Sequence, residues 1–563
     1  MTARIILVRR LFLIGLGILV LRLVLLQLVH GATYRRLAEQ NRLRLVPEPA
    51  PRGLILDRAG RRLATNRTVF RVAVVPQELE DRTLFGRLGP LVNRPSGELE
   101  RRFNEHKTLP FLPATVVSHV PKPVALRIEE ERVHLPGVLV EPIITRQYPL
   151  GSVAAQLLGY VGQPSPEGFS TLKHYGVRPQ DLVGRAGIEQ ELDAYLRGRS
   201  GGSLVEVDHR ARQIRMVGYR QPVPGEPVGL TIDAALSALI EHQFGQAPGA
   251  CVVLRPQTGE LLAMVSIPGF EPEVFATQDH VSLRKLLADP QAPFMNRATH
   301  GTYLPGSTVK LVTTMTALEH RLITPATTFE CPGYLTIGNR RFHCWNRDGH
   351  GPVALREALM VSCNVYFMQV GRQLGLAKLR AGFTSVGFGR RTGWPFEEES
   401  GWLPGGRRFS EGEVALLAIG QSEILVTPLQ AAVMVSAIAN GGWVVEPWVV
   451  KTIGKHAVAR SHLFPLGWSA ESLAVVREGM EAAVNEPQGT GIRAHSTKVR
   501  IAGKTGTAQT HIPGRPHGWF LGFCPAKDPA AAIAIVTEHG GSGGELPATI
   551  AKAICESIAT QSL

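Results

Sequence analysis

At 563 residues, with 44% hydrophobic and 19% charged residues, the chain is too long for one domain, too polar for a polytopic membrane protein and too apolar for wholesale disorder. A formal net charge of +14 admits nucleic acid, an anionic membrane surface or acidic polymers as neighbours. The arginines are scattered rather than gathered into a basic stripe interleaved with aromatics, and no zinc-finger or RNA-recognition signature organises them, so no nucleic-acid partner is expected.

The chain starts with a run, Leu11 to Val29, that is apolar and about 28 Å long as a helix, enough to cross a bilayer's hydrocarbon core. Arg4, Arg9 and Arg10 precede it and favour a cytoplasmic segment at 1–10, although Arg35 and Arg36 beyond the run weaken the asymmetry. A cleavable signal peptide is the competing reading. The run is long for one and no small-x-small cleavage site follows, so residues 11–29 read as a retained signal anchor. Arg22 lies inside the span, where its long stem lets the guanidinium reach the interface. No later run is long and apolar enough to cross, which places everything beyond about residue 30 on one side, expected to be the outside.

Residues 30–228 form a first extramembrane region. "PEPAPRGLILDRAGRRLATNRTVFRVAVV" (47–75) alternates short apolar runs about an Asp57–Gly60 turn signal, a hairpin and a further strand. Residues 77–135 mix charged helix-like runs with prolines, and 184–215 read as a short helix ending at glycines, then strands. The Pro/Gly-rich segment 220–233 closes the region, and a second domain, 229–563, follows. It opens with a helix and two strands and ends with three strands and a helix, around a mostly helical middle. An antiparallel sheet packed with helices, and so an α+β class, is the economical architecture.

Ser-x-x-Lys, which places a hydroxyl and an amine on one helical face, occurs at Ser170/Lys173, Ser282/Lys285 and Ser307/Lys310. The first lies in a polar, Gly-flanked stretch that reads as a surface loop, and the second in a short segment ended by Asp-Pro. Ser307 instead opens a long helix with Val309, Val312, Met315 and Leu318 as a buried stripe, near the positive end of the helix dipole. Ser362-Cys363-Asn364 and Lys504-Thr505-Gly506 follow in order. Alone, each residue has a structural reading: a helix start, a solvated charge, a turn polar group.

Ser-x-x-Lys, Ser-x-Asn and Lys-Thr-Gly in that order are the motif set established for penicillin-binding proteins and class A β-lactamases. Segments across nearly the whole chain, "PRGLILDRAGRRLATN", "TRQYPLGSVAAQLLGYVG", "GRAGIEQELDAYLRGRSG", "NRATHGTYLPGSTVK", "AIGQSEILVTPLQAA" and "HGWFLGFCPAKDP", resemble class B penicillin-binding proteins, most nearly the elongation branch. The resemblance implies a membrane anchor, a β-rich elongated pedestal and a penicillin-binding, serine β-lactamase-like transpeptidase domain at the inner membrane, periplasmic in its catalytic part. It implies peptidoglycan stem peptides and β-lactams as ligands, a SEDS-family membrane glycan polymerase and elongation-complex proteins as partners, and no cofactor for the chemistry.

By the same resemblance Ser307 is the nucleophile, Lys310 its base and Ser362 a proton relay. Asn364 holds the substrate amide, Lys504 with Thr505 and Thr507 binds the terminal carboxylate, Gly506 lets a substrate backbone lie close, and the N–H groups of Ser307 and Thr507 form the oxyanion hole. Many elongation members carry Asp where this chain has Asn364, which leaves septal and sporulation transpeptidases as alternatives. So does a β-lactam receptor or a scaffold that activates a polymerase.

Six cysteines are present, and Cys331, Cys344, His350 and Cys363 are spaced C-x12-C-x5-H-x12-C, a full Cys₃His set for tetrahedral zinc. Related members of the family carry a metal site in this region, some ligands being aspartate. A disulfide among the three cysteines, or unlinked thiols, is the other reading. Cys251, Cys524 and Cys555 lie in strand or helix patterns and read as core.

Overall fold

The computed structural model describes residues 2–34, 43–79, 81–107, 113–172, 177, 181–208, 213–277, 279–458, 462–510 and 512–561. Arg35, Arg36 and Lys173 lie outside the described residues. Thr2–Val24 is helical, and a π-helical turn, Leu25–Val29, continues it. Ile5–Val29 has a mean hydropathy of 2.6 and is the one helix among the described residues with the length and composition of a membrane span. The helix starts ahead of the apolar run because Arg9 and Arg10 are themselves good helix formers. The chain thus carries one N-terminal helix suited to a single-pass anchor.

The rest falls into two compact units that interleave along the chain. The first comprises residues 1–52, 67–145 and 197–225. In it Leu43–Glu48, Gly201–Val207 and Gln213–Arg220 form an antiparallel sheet with Gly201–Val207 in the centre. Separately, Phe70 to Val74 pair antiparallel with Ala114–Val120. Helices Leu84–Val92, Ser96–His106 and Lys122–Glu130 bury Leu88, Leu99, Phe103 and Ile128 together with Val72, Val74 and Val116. Pro95 and Pro121 stand just ahead of two of these helices, where a missing N–H leaves no ladder bond unmade.

The second unit comprises residues 53–66, 146–196 and 226–563. The hairpin about Asp57 is present, its carboxylate accepting from the backbone N–H groups of Ala59 and Arg61 at 2.9 and 2.8 Å. Arg146 and Glu189 form a fully buried ion pair at 2.6 Å, and Arg146 also donates to the Gly53 carbonyl. Truncating either partner would strand a buried charge, at a cost of about 3–5 kcal/mol.

In chain order the elements around the site are α1 (Ala234–Phe244), β1 (Gly249–Leu254), β2 (Leu261–Ile267), α2 (Lys310–Glu319), α3 (Asn364–Ser385), α4 (Pro428–Ala439), β3 (Ala502–Ala508), β4 (His517–Cys524), β5 (Ala531–Thr537) and α5 (Leu546–Gln561). The strands form one antiparallel sheet in the order β2-β1-β5-β4-β3. Its two faces feed different cores. Cys251 and Val253 pack with Leu236 and Ile240 of α1 and Ile550 and Ile554 of α5, whereas Ala250, Val252 and Leu254 pack with α4 and α2. Burial on both faces explains the continuous apolar runs in place of alternation. Strand β3 stands at the edge, where its outer side is open to pairing. The middle of the unit is helical but also contains small antiparallel pairings, among them Thr328–Cys331 with Gly351–Ala354, Tyr334–Ile337 with Arg340–His343 and Trp443–Val445 with Leu463–Pro465.

Candidate active site

Ser307 lies in a 3₁₀ turn, Gly306–Val309, that runs straight into α2. Gly306 has φ +54°, and a Cβ there would meet the Thr507 carbonyl oxygen at 2.8 Å, so only glycine lets this turn approach β3. Ser307 is half-buried. Behind it every residue from Lys310 to Ala317 is buried, more than the expected stripe, while Leu318 is only partly covered. The other two pairs have different settings. Ser170 sits on a short helix, Pro166–Leu172, rather than a loop, and its hydroxyl donates to the Glu167 carbonyl. Ser282 donates to Asp279 at the start of His280–Leu287, with Lys285 exposed.

Lys310 is 0% exposed. Its Nζ donates to the Ser362 carbonyl at 2.8 Å, the Ser362 hydroxyl at 3.2 Å and Asn364 Oδ1 at 2.7 Å, and lies 5.4 Å from the Phe367 ring centroid. Lys504, on β3, is also 0% exposed, and its Nζ reaches the same Ser362 hydroxyl at 2.7 Å and the Thr505 carbonyl at 3.0 Å. Two amines drawn from residues 310 and 504 therefore converge on one oxygen. Ser362 holds φ +55°, a left-handed conformation rare for serine, and this turns both its carbonyl and its hydroxyl to the lysines.

Burial lowers the Lys310 pKa to about 8, against a smaller opposing pull from the thiols of Cys363, Cys344 and Cys331. Burial, and then the charge of Lys310, pushes Lys504 well below the usual lysine range. Two ammonium groups this close in a dry site repel, so the pair is disposed to hold fewer than two protons. Asn364 spends its oxygen on Lys310 and keeps its amide N–H₂ for another partner. Thr505 donates to the Thr490 hydroxyl at 2.7 Å, Gly506 backs onto Thr308 and Pro305, and Thr507 is exposed at the sheet edge.

Three contacts here carry no local sequence signal. Gln421 Nε2 donates to the Thr507 carbonyl at 3.1 Å, Thr490 meets Thr505, and Trp519 Nε1 donates to the Leu304 carbonyl at 3.0 Å. Gln421 lies within "AIGQSEILVTPLQAA", whose resemblance to the family was the available hint.

Behind Ser362 the ligand atoms of Cys331, Cys344, His350 and Cys363 all lie within 4.8 Å of one another. His350 Nδ1 stands 3.5 Å from Cys331 Sγ and 3.6 Å from Cys344 Sγ. All six cysteines are free thiols, so the disulfide reading does not describe this structure. The mutual hydrogen bond of Cys344 and Cys363 draws the pKa of Cys344 down and pushes that of Cys363 up. Cys363 also caps α3, its Sγ accepting from Tyr366 N at 3.5 Å, and Cys344 Sγ accepts from Asn364 N at 3.4 Å. The cysteine cluster thus supports the residues that face Lys310.

A half-buried serine one turn ahead of a desolvated lysine, a hydroxyl bridging two amines and an open edge strand are the parts of a serine acyl transferase. The penicillin binding protein transpeptidase domain model matches residues 249–556, and the penicillin-binding protein dimerisation domain model matches residues 47–230. Peptidoglycan D,D-transpeptidase MrdA of Haemophilus influenzae is 32% identical, over 99% of this chain and 92% of its own. Penicillin-binding protein PBP2 of Helicobacter pylori, solved in complex with MreC, superposes with a TM-score of 0.79 at 27% identity, covering 92% of this chain and 99% of that one. A chain of a peptidoglycan synthase complex, solved for its coordination of polymerization and crosslinking, gives a TM-score of 0.75 at 32% identity, with 100% and 99% coverage. The chain belongs to the class B penicillin-binding protein family.

Proposed function

We propose that this peptidoglycan D,D-transpeptidase works through an acyl-enzyme on Ser307. The observation that carries the reading is the Ser362 hydroxyl held at 3.2 and 2.7 Å by two fully buried lysines beside the Ser307 turn. Ser307 Oγ attacks the carbonyl of a D-Ala-D-Ala terminus while neutral Lys310 takes its proton. The carbonyl oxygen becomes an oxyanion between the backbone N–H groups of Ser307 and Thr507. Collapse breaks the C–N bond, and the leaving amine receives a proton through Ser362, which connects Lys310 to Lys504. An amine of a neighbouring stem peptide then attacks the ester and restores Ser307. The amide of Asn364 holds the donor's peptide and Thr505, Thr507 and Lys504 its terminal carboxylate, with the donor along β3 as a sixth strand. Gly506, expected from the sequence to make room for that donor, instead makes room for Pro305 and Thr308 of the Ser307 segment.

A β-lactam acylates the same oxygen. Labelling with a fluorescent penicillin, digestion and mass spectrometry should place one adduct on the peptide containing Ser307, and an adduct on any other serine would overturn the assignment. Because Lys310 must be neutral to act and its pKa is held near 8, the acylation rate should rise with pH through about 8 and level off above. Stopped-flow labelling from pH 6 to 10 reads this, and a flat profile removes Lys310 as the base.

The setting is cell-wall elongation and cell shape, with residues 30–228 as pedestal and 229–563 as catalytic domain, both on the periplasmic side of the inner membrane. The H. pylori relative was solved with MreC and another in a polymerising complex, which supports elongation-complex proteins and a SEDS-family glycan polymerase as partners here.

The Cys₃His cluster fits a structural zinc. A tetrahedral ion with sulfur at 2.3 Å and nitrogen near 2.05 Å spaces its S and N ligands about 3.6 Å apart, and His350 Nδ1 stands 3.5 and 3.6 Å from two of the sulfurs. When bound, zinc would neutralise the thiolates of Cys331, Cys344 and Cys363 and lock the turn that precedes α3. The acyl transfer itself needs no metal.

A further inference from the structure

The position of the nucleophile depends on a segment, residues 303–307, that has little structure of its own. Ser307 sits in a single 3₁₀ turn and the residues before it belong to no named strand. Its oxyanion partner, Thr507, is on β3, so the segment must be held to the sheet from outside.

Four side chains do this. Trp519 lies on β4 directly opposite Gly506, is fully buried, and sends its indole N–H to the Leu304 carbonyl at 3.0 Å. Tyr303 presents its ring edge-on to Trp519 at 6.0 Å, and its hydroxyl donates to Glu538 Oε1 at 2.7 Å. Glu538 follows the last residue of β5, and the same oxygen accepts from Arg297 Nε at 3.0 Å. Arg297, 5% exposed, also donates from Nη1 to the Ala292 carbonyl and from Nη2 to the Gln291 carbonyl. One carboxylate oxygen, held by a buried arginine with three hydrogen bonds, thereby receives the phenol that leads the nucleophile's segment. Backbone bonds complete the grip: Tyr303 exchanges both its N–H and its carbonyl with Val426, and Gly306 N–H donates to the Gly420 carbonyl.

We infer that Tyr303 and Glu538, backed by Arg297 and Trp519, are positioning residues that hold Ser307 in register with the Thr507 N–H. This rests on Ser307 being the nucleophile. Neither Tyr303 nor Glu538 touches the reacting atoms. Their effect is on how well the attacking oxygen and the oxyanion donor are aligned, so it must show in the covalent steps rather than in initial binding.

The test uses the full-length protein in detergent with a fluorescent penicillin, separating the dissociation constant of the initial complex from the acylation rate constant, and following deacylation. Tyr303→Phe keeps the ring packing and removes one hydrogen bond, and Glu538→Gln keeps the shape and removes the charge. Each should lower the acylation and deacylation rate constants by about tenfold, with the initial dissociation constant within about twofold of the parent. Tyr303→Phe leaves the Arg297–Glu538 pair in place and should keep the melting temperature close to the parental one, whereas Glu538→Gln leaves Arg297 without its counter-charge and should lower it. Because both act through one contact, the double variant should lose no more than about twofold beyond the worse single variant. The inference is overturned if Tyr303→Phe and Glu538→Gln acylate at the parental rate, if their losses multiply in the double variant, if the loss lies in the dissociation constant, or if the loss in Tyr303→Phe follows a lowered melting temperature. Ser307→Ala in the same assay separates the two claims. Labelling that survives it removes the nucleophile itself, whereas labelling that it abolishes, beside a parental Tyr303→Phe, removes only the clamp.

Discussion

Lys310→Met is expected to slow penicillin acylation by at least about a thousandfold while the protein remains folded. Methionine matches the stem of lysine in a site that is 0% exposed, so packing around Phe367 survives and the base is lost. The Ser362 carbonyl and Asn364 Oδ1 each lose a donor, worth about 1–3 kcal/mol where they stay buried. Against this, an amine no longer has to be desolvated, and the net change in stability is smaller than the change in rate. Lys310→Arg is the informative companion. A guanidinium keeps the positive charge yet cannot lose its proton in this pH range, so it should not rescue the rate. Lys504 is held on the Ser362 hydroxyl and the Thr505 carbonyl and should not replace the lost base. The measurement is the acylation rate constant by stopped-flow with melting temperature in parallel. Acylation within tenfold of the parent in Lys310→Met would transfer the base role to another group.

The residues that meet in the cleft were legible because their chemistry constrains both type and local spacing. A hydroxyl and an amine must share a helix face, and a hydroxyl and an amide must flank a turn. What the sequence hid were conformations and distant contacts. Nothing in "VSCN" announces that Ser362 adopts φ +55°, on which the reach of both lysines depends. Lys504 reads as a solvated charge until its strand is seen with Ser362 at its ammonium. Gln421 to Thr507 and Tyr303 to Glu538 cross 86 and 235 positions, and no periodicity encodes pairs at that range.

The fold shows the same division. Runs such as "AAIAIVT" are apolar throughout because both sheet faces are covered, which made the strands visible. The small pairings between 328 and 354 were not visible, as their strands are only four residues long and their burial is shallow. Within the second unit, residues 53–66 and 146–196 are linked by partners such as Arg146 with Glu189 and Gly53, which a chain-order reading cannot join.

That cluster supplies the second large effect. The full-length protein should carry about one zinc per chain by elemental analysis, and Cys331→Ser, which removes the ligand farthest along the chain from Ser362, should abolish it. Three thiols and an imidazole forced within 4.8 Å in a largely buried pocket lose their reason to stay together once the ion is gone. The melting temperature should drop by roughly 5–10 °C, as expected for a loss of a few kcal/mol in a domain of this size. Acylation should slow by roughly tenfold in the same variant, because Cys344 and Cys363 accept the N–H groups of Asn364 and Tyr366 and so fix the start of α3 against Lys310. Treatment with a strong chelator should reproduce both changes in the parent, and added zinc should reverse them there but not in Cys331→Ser. A parent that carries no zinc and shows no thermal shift with it, or a mass map that finds two of these cysteines joined, would leave the cluster without a metal.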